Sequence, residues 1–159
     1  MTDVEQLTRL FRDLGADDPE LWAKSQVEEG INQLHRYMFL RQAWKLVVPD
    51  HDQSWIDSSI AYSDARPDEP HAGVGAALRT LIAAGADRQL LGEVVRGMQA
   101  ELLFGLCYLL DDPSIEEPEA AHIGWRLVET DEDYMPTDRP IGGLHESVAE
   151  TDPGRRQMA

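Results

Sequence analysis

The stretch that decides the fold is "LLGEVVRGMQAELLFGLCYLL", Leu90–Leu110. Apolar side chains recur along it at spacings of three and four residues, which predicts an α-helix with one apolar face. Beyond Glu101 the stretch is apolar on all sides, and this indicates a central helix buried by its neighbours. Asp87 can cap its N-terminus. The apolar face consists of Leu91, Val94, Val95, Met98, Leu102, Leu106 and Leu109.

Three glycines, Gly92, Gly97 and Gly105, interrupt this helix. Each costs roughly 1 kcal/mol relative to alanine in a helix interior. Gly97 and Gly105 are about 80° apart on a helical wheel, close enough to share one groove. The glycines therefore predict the close approach of another helix rather than a ligand.

The rest of the first 112 residues also reads as helical. Apolar spacing and caps predict a second helix from Pro19 to about Val47, capped by Asp18, with Gly30 as a point where it can break. Residues 50–70 read mainly as loop. The other predicted helices are Asp3–Leu14, a short one around Trp55–Ile60, and His71–Ala84.

The chain changes character after Asp112, where prolines and acids become frequent. A short helix is predicted at Pro118 to about Ile123. The stretch "GWRLVE", residues 124–129, alternates as a strand does, and "IGGLHESVAE", Ile141–Glu150, is its predicted hairpin partner. Residues 151–159 read as a tail.

These patterns predict an all-α protein of one domain. We expect a four- to five-helix bundle around Leu90–Leu110, with an irregular acidic C-terminal segment that can form a small β-hairpin. Residues 1–112 form the helical core in this interpretation, and residues 113–150 are an acidic extension packed on it within the same domain.

The net charge of −16 is concentrated towards the C-terminus. Residues 1–47 carry 8 acids and 6 bases (−2), residues 48–110 carry 9 and 4 (−5), and residues 111–159 carry 13 and 4 (−9). Such a field repels phosphate backbones and anionic lipid, so the sequence argues against binding to nucleic acid or to a membrane. It favours basic protein partners.

Cysteine usage and hydropathy predict a cytoplasmic protein. The single cysteine, Cys107, allows no intrachain disulfide, and its apolar neighbours predict a buried, inert thiol. The N-terminus has no apolar signal core. The longest apolar run, Leu102–Leu110, is nine residues, far short of the roughly 20 that span a bilayer.

Two glycines lead directly into His145, Glu146 and Ser147, three side chains that occur in catalytic sites. Consecutive residues cannot align as nucleophile, base and orienting group, because neither a strand nor a helix points them at one another. The stretch is therefore interpreted as a turn with His145 packed at its edge, and no catalytic residue is predicted.

A metal site is a weaker hypothesis. Glu119 and His122 are spaced i, i+3 as in the Glu-x-x-His motif of di-metal helical bundles, and His35 with Glu101 or Glu93 could complete a ligand set. The acidic stretch "DEDYMPTD" fails the calcium-loop pattern, because Met135 and Pro136 stand where a ligand and a glycine are required. No cofactor is predicted.

The sequence favours a non-enzymatic module that binds a basic protein, such as an inhibitor or an immunity-type protein. Aromatic side chains set among acids have the composition of an interface hot spot. One alternative is a homo-oligomeric helical scaffold that buries the aromatic residues of its second helix against another copy. The other is a carboxylate/histidine metal-binding bundle that serves as enzyme or sensor. The predicted partner-binding residues are Trp125, Asp131, Glu132, Asp133, Tyr134, His145 and Glu146.

Overall fold

A computed structural model describes residues 3–154, and these are mostly helical. The all-α prediction is confirmed at this level, with a small antiparallel sheet near the C-terminus. The described residues hold six α-helices rather than four or five, and their arrangement as a bundle stays a prediction. The helices are α1 (Asp3–Leu14), α2 (Pro19–Lys24), α3 (Gln33–Trp44), α4 (Ser54–Ala65), α5 (Ala72–Ala83) and α6 (Arg88–Asp111).

The chain divides into two compact units. The first unit comprises Met1–Trp44 and Leu102–Ala159, and the second comprises Lys45–Glu101. The organisation predicted from composition, with a boundary at residue 112, stays a prediction. The predicted tail lies partly outside the described residues, which end at residue 154.

Three aromatic rings form the core between α1 and α3. Phe11 stacks on Trp22 at 5.8 Å between ring centroids, and Tyr37 meets both rings edge-on at 5.7 and 5.3 Å. All three side chains are buried, and edge-on geometry is favourable for aromatic pairs. The Tyr37 hydroxyl donates to the Leu14 carbonyl at 3.3 Å, which satisfies an end of α1.

The long second helix predicted from Pro19 to Val47 is broken in the structure. After α2 the chain makes a π-helical turn at Ser25–Glu29, and Gly30 adopts a left-handed conformation with φ of 72°. Glycine tolerates this conformation because it has no Cβ atom. The Asp18 cap is confirmed, since its carboxylate accepts the Leu21 N–H at 3.2 Å.

A pair of helices, α4 and α5, dominates the second unit. The short helix predicted around Trp55–Ile60 forms, but it is longer than predicted, because α4 spans the 12 residues Ser54–Ala65. Asp52 stabilises its start by accepting the Ser54 N–H at 2.8 Å, and the Ser63 hydroxyl donates to the Ala72 carbonyl at 2.7 Å. Gly75 lets the helices approach, because a Cβ atom there would overlap the Ser59 carbonyl oxygen.

Helix α6 forms as predicted, and Asp87 caps it by accepting the N–H groups of Gln89 and Leu90 at 2.8 and 3.0 Å. The prediction that its apolar residues are buried was wrong. Only Arg96, Leu103 and Cys107 on this helix are buried, and they share one side. Most of its other large apolar side chains are exposed: Leu90, Val94, Met98, Leu102, Phe104, Leu106, Tyr108 and Leu109.

The C-terminal segment contains the small sheet, formed by β1 (Val128–Thr130) and β2 (Pro136–Pro140). Val128 pairs with Pro140 and Thr130 with Pro136. The hairpin is confirmed, but the prediction that Ile141–Glu150 forms its second strand was wrong. The second strand is β2, because pairing with it closes a much shorter loop. A 3₁₀ turn stands at Pro118–Ala120 in place of the predicted longer helix. Among residues 3–154, no helix has the length and apolar character needed to cross a membrane.

Candidate functional site

The loop that joins β1 to β2 is held in shape by Asp131. Its Oδ1 accepts the backbone N–H groups of Asp133 and Met135, both at 2.9 Å. The backbone adds two bonds, from the Asp131 N–H to the Met135 carbonyl at 2.9 Å and from the Tyr134 N–H to the Asp131 carbonyl at 3.1 Å. The loop is therefore a compact turn with a defined backbone. We call Asp131–Met135 the hairpin tip.

The hairpin tip presents two apolar side chains to solvent. Tyr134 is 86% exposed, with φ of 61°, and Met135 is 60% exposed. Glu132 and Asp133, between Asp131 and Tyr134, are also exposed. The tip thus combines an aromatic ring, a flexible thioether side chain and a concentrated negative charge. Of its acids, Asp131 is engaged within the loop, whereas Glu132 and Asp133 face solvent.

Glu129 anchors the hairpin to the start of α3. This side chain is 13% exposed, and its Oε2 accepts the Asn32 Nδ2–H at 2.8 Å. His35 Nδ1 lies 2.6 Å from Asn32 Oδ1 and 3.5 Å from Glu129 Oε2, and Arg139 on β2 reaches Glu129 at 3.4 Å. The hairpin is therefore tied to the helical part of its own unit by a polar cluster.

Trp125 ties the segment before the hairpin to the end of α6. Its indole Nε1–H donates to the Leu109 carbonyl at 2.7 Å, one of the carbonyls that a helix end leaves without an intrahelical partner. The ring is 43% exposed. Trp125 therefore has a structural role, and part of its ring remains open to solvent.

His145 is paired with Asp111, the last residue of α6. His145 Nδ1 lies 2.6 Å from Asp111 Oδ2, and the same oxygen accepts the His145 backbone N–H at 3.1 Å. The imidazole ring packs edge-on against Tyr108 at 5.0 Å and Phe104 at 6.0 Å. The contact holds the turn Leu144–Val148 against α6, which agrees with the interpretation of this stretch as a packed turn.

An Asp–His pair of this kind can orient an imidazole for proton transfer, but catalysis also needs a presented nucleophile or substrate site. Ser147, two residues from His145, is buried. Cys107, one turn before Asp111, is also buried. Its burial, and to a smaller extent the negative charge of Asp111, raises the pKa of its thiol from 9.0 to about 11. Neither side chain is presented as a nucleophile.

Glu146 lies near Arg36, a buried residue of α3. Burial lowers the pKa of the Arg36 guanidinium, and the charges of Glu146, Asp111 and Glu150 oppose that shift. A Cβ atom at Gly143 would overlap Arg36 Nη2, so the glycine allows the guanidinium to lie against the backbone. Glu146 therefore takes part in the charge balance around Arg36.

The polar groups around Arg36 are incompletely paired. Arg36 Nε and Asp111 Oδ1 are buried and find no hydrogen-bond partner among residues 3–154. A cleft of about 300 Å³ is lined in part by Asn32, Arg36 and Arg139. The two guanidinium groups have acids close by, Glu129 at Arg139 and Asp111 and Glu146 near Arg36, so the cleft is not a simple anion site.

The predicted metal ligands do not converge on a site. Glu119 lies in the 3₁₀ turn and is exposed, as is His122 two residues beyond that turn. His35 is engaged with Asn32 and Glu129, and Glu101 is an exposed residue of the second unit. Within the described part of the chain, no group of three or more His, Cys, Asp or Glu residues is placed to hold a metal ion.

Sequence reasoning missed the pairs that anchor the hairpin and the turn Leu144–Val148. Asn32 and Glu129 are 97 positions apart in the chain, and Asp111 and His145 are 34 apart. No local spacing relates such residues, so no pattern indicated these pairs. One signal was readable, since Gly142 and Gly143 predicted a tight turn at the position where the chain meets Arg36.

Comparisons with protein-family models, with curated proteins and with solved structures find no match to this chain.

Proposed function

We propose that this chain is a small acidic protein-interaction module, acting in the cytoplasm, that binds a basic protein through its hairpin tip. The observation that carries the proposal is the exposure of Tyr134 and Met135 beside Glu132 and Asp133. Large apolar side chains at a loop tip gain little within the chain and are available to a partner.

The charge distribution supports a basic partner. Residues 111–159 carry 13 acids and 4 bases, so the tip lies in the most acidic third of the chain. A field of one sign steers an oppositely charged protein during encounter and raises the association rate. Desolvation of Tyr134 and Met135 would then supply affinity, since aromatic residues and methionine are enriched in interface cores.

The shape of the hairpin tip supports a binding role as well. Asp131 fixes the loop through two backbone N–H groups, and Glu129 fixes the hairpin to α3 through Asn32. A loop that is ordered before binding loses less conformational entropy on association than a mobile one. An inhibitor or immunity-type protein needs such a loop, because it must recognise one partner tightly.

The first experiment places a photo-cross-linking phenylalanine analogue at position 134 in the intact protein, with the same analogue at Tyr62 of the second unit as the matched control. We expect position 134, and not position 62, to capture one basic protein from lysate. Equal capture at both positions, or capture of acidic proteins, would contradict the proposal.

The captured protein is then titrated with Tyr134→Ala and Tyr62→Ala variants. We expect Tyr134→Ala to weaken binding by at least about tenfold, mainly through faster dissociation, and Tyr62→Ala to bind as the unmodified chain does. Affinity should also fall as the salt concentration rises from about 0.05 to 0.5 M. Substitution of Tyr134 tests binding more directly than substitution of Trp125, because the Trp125 indole also holds its own segment to α6.

A further inference from the structure

The exposed side of α6 carries a continuous row of apolar side chains. At about 100° per residue, the row occupies an arc of about 160° centred on Met98, opposite the buried Arg96, Leu103 and Cys107. Glu101 is the one charged residue on this arc between Leu90 and Leu109. We call this row the α6 ridge. Its members are 45–65% exposed, and they are Leu90, Val94, Met98, Leu102, Leu106 and Leu109.

The α6 ridge has about the area of the largest apolar patch on a typical monomer, and such patches are often functional. A half-exposed side chain of this size offers roughly 80 Å² of surface, since aromatic side chains carry about 150–250 Å² and aliphatic ones somewhat less. The six residues together offer about 500 Å². This area is within the range of about 300–600 Å² that the largest apolar patch on a typical monomer covers. Each side of a standard protein interface covers about 800 Å². The ridge therefore has the area of the apolar core of a small interface.

The spacing of the ridge makes it complementary to a reversed copy of itself. Val94 and Leu102 lie four residues on either side of Met98, and Leu90 and Leu106 lie eight. A two-fold axis through Met98 would exchange these positions, as an isologous dimer requires. Rows of residues spaced by four also interdigitate when two helices cross at about −50°, the commonest helix packing.

Charge and glycine placement agree with a second copy as the occupant. Two chains of net charge −16 repel each other, but the ridge avoids most of that charge, and a two-fold axis at Met98 sets Glu101 opposite Val95 of the other copy. Gly105 lies on the same arc, and a Cβ atom there would meet nothing within 4 Å. No contact within the described chain requires this glycine, whereas a helix crossing close to α6 would.

We propose that this chain forms a two-fold symmetric dimer through the α6 ridge, with Met98 on the axis. Val94 then packs against Leu102 of the other copy, and Leu90 against Leu106. The hairpin tip takes no part in this contact.

The first test is sedimentation equilibrium of the intact protein from about 5 to 500 µM. We expect the mass to rise from one chain to two with a midpoint in the micromolar range, as suits a small interface. Met98→Glu should raise the dissociation constant at least tenfold. Leu21→Glu, the same type of change at an exposed leucine of α2, should leave it unchanged. A wild-type chain that stays single at 500 µM would overturn the proposal.

Disulfide cross-linking tests the axis itself. Met98→Cys should cross-link with its own copy, because the two residues meet at the axis within the distance that a disulfide spans. Leu90→Cys alone should not, since its two copies would lie about 24 Å apart at 1.5 Å per residue. A mixture of Val94→Cys and Leu102→Cys should cross-link, because both residues lie only four positions from the axis. Equal self-cross-linking at positions 90 and 98 would contradict the two-fold arrangement.

Discussion

Helices α1 and α6 both carry apolar side chains at helical spacing, but only α1 uses them within the chain. Phe11 of α1 is fully buried against Trp22 and Tyr37, and Val4, Leu7 and Leu14 pack around this cluster. On α6 the corresponding row is exposed, and the buried side includes an arginine. Spacing identifies which side chains share a face, whereas the tertiary structure decides whether another element covers that face.

The largest expected difference between the two helices is in the cost of removing an apolar side chain. Phe11→Ala should lower the free energy of unfolding by about 3–5 kcal/mol, because it leaves a cavity among three rings. Leu102→Ala should cost under about 1 kcal/mol, since its side chain is mostly in solvent. Urea unfolding at a chain concentration well below the midpoint of dimerisation, where single chains dominate, measures both. Equal costs would mean that α6 is covered within the chain.

Burial of Cys107 on α6 should make the free energy of unfolding depend on pH in the alkaline range. The folded state holds the pKa of Cys107 at about 11, whereas the unfolded chain releases this proton near 9.0. The free energy of unfolding should therefore fall between pH 9 and pH 11, by roughly 2–3 kcal/mol from this thiol. Below pH 9 the thiol is protonated in both states and contributes no pH dependence.

Cys107→Ala is the control for that measurement, because lysines and tyrosines also titrate in this range. The difference between the two chains should grow from pH 9 to pH 11. A thiol reagent at pH 8 should also leave folded Cys107 unmodified and react after unfolding. Rapid modification of the folded protein would show that this side of α6 is open.

Gly75 tests the packing of α4 on α5. Gly75→Ala should lower the free energy of unfolding by about 1–3 kcal/mol, since the new methyl group overlaps the Ser59 carbonyl and the Ser63 side chain. Thermal unfolding followed by circular dichroism measures the change. An unchanged midpoint would mean that the two helices are less closely packed than the structure has them.

Gly97 on α6 contrasts with Gly75, and its substitution should have the smallest effect on stability. An added Cβ atom meets nothing within 4 Å, so Gly97→Ala should raise the stability of the single chain by about 1 kcal/mol through helix propensity. The same thermal measurement detects it. A loss of stability would place an unrecognised neighbour against this side of α6.

Several features followed from the sequence because they depend on contacts within one turn of the chain. The caps at Asp18 and Asp87 were predicted, since a side chain and the backbone beside it decide them. Helix α4 was predicted too short, because its polar residues outnumber its large apolar ones. It is stabilised by its partner α5, as many marginal helices are.

Less of the candidate site was predictable. The acidic tip around Tyr134 was identified from composition, and its role stays a prediction. The pair of Glu129 with Asn32, which anchors the hairpin, and the pair of Asp111 with His145, which anchors the turn Leu144–Val148, join residues that only the folded chain brings together. Strand β1 was predicted to pair with Ile141–Glu150, whereas it pairs with Pro136–Pro140, which closes a shorter loop.

By itself, the sequence determined the helical character of this protein, the residues that cap α2 and α6, the concentration of acid in its last third and the apolar spacing of α6. These depend on local hydrogen bonds and on composition. The tertiary structure decided which side of α6 is buried, which strand pairs with β1 and which polar groups meet around Arg36. Such contacts form only when the gain from burial and pairing exceeds the entropy lost in bringing distant segments together, and no local pattern records that balance.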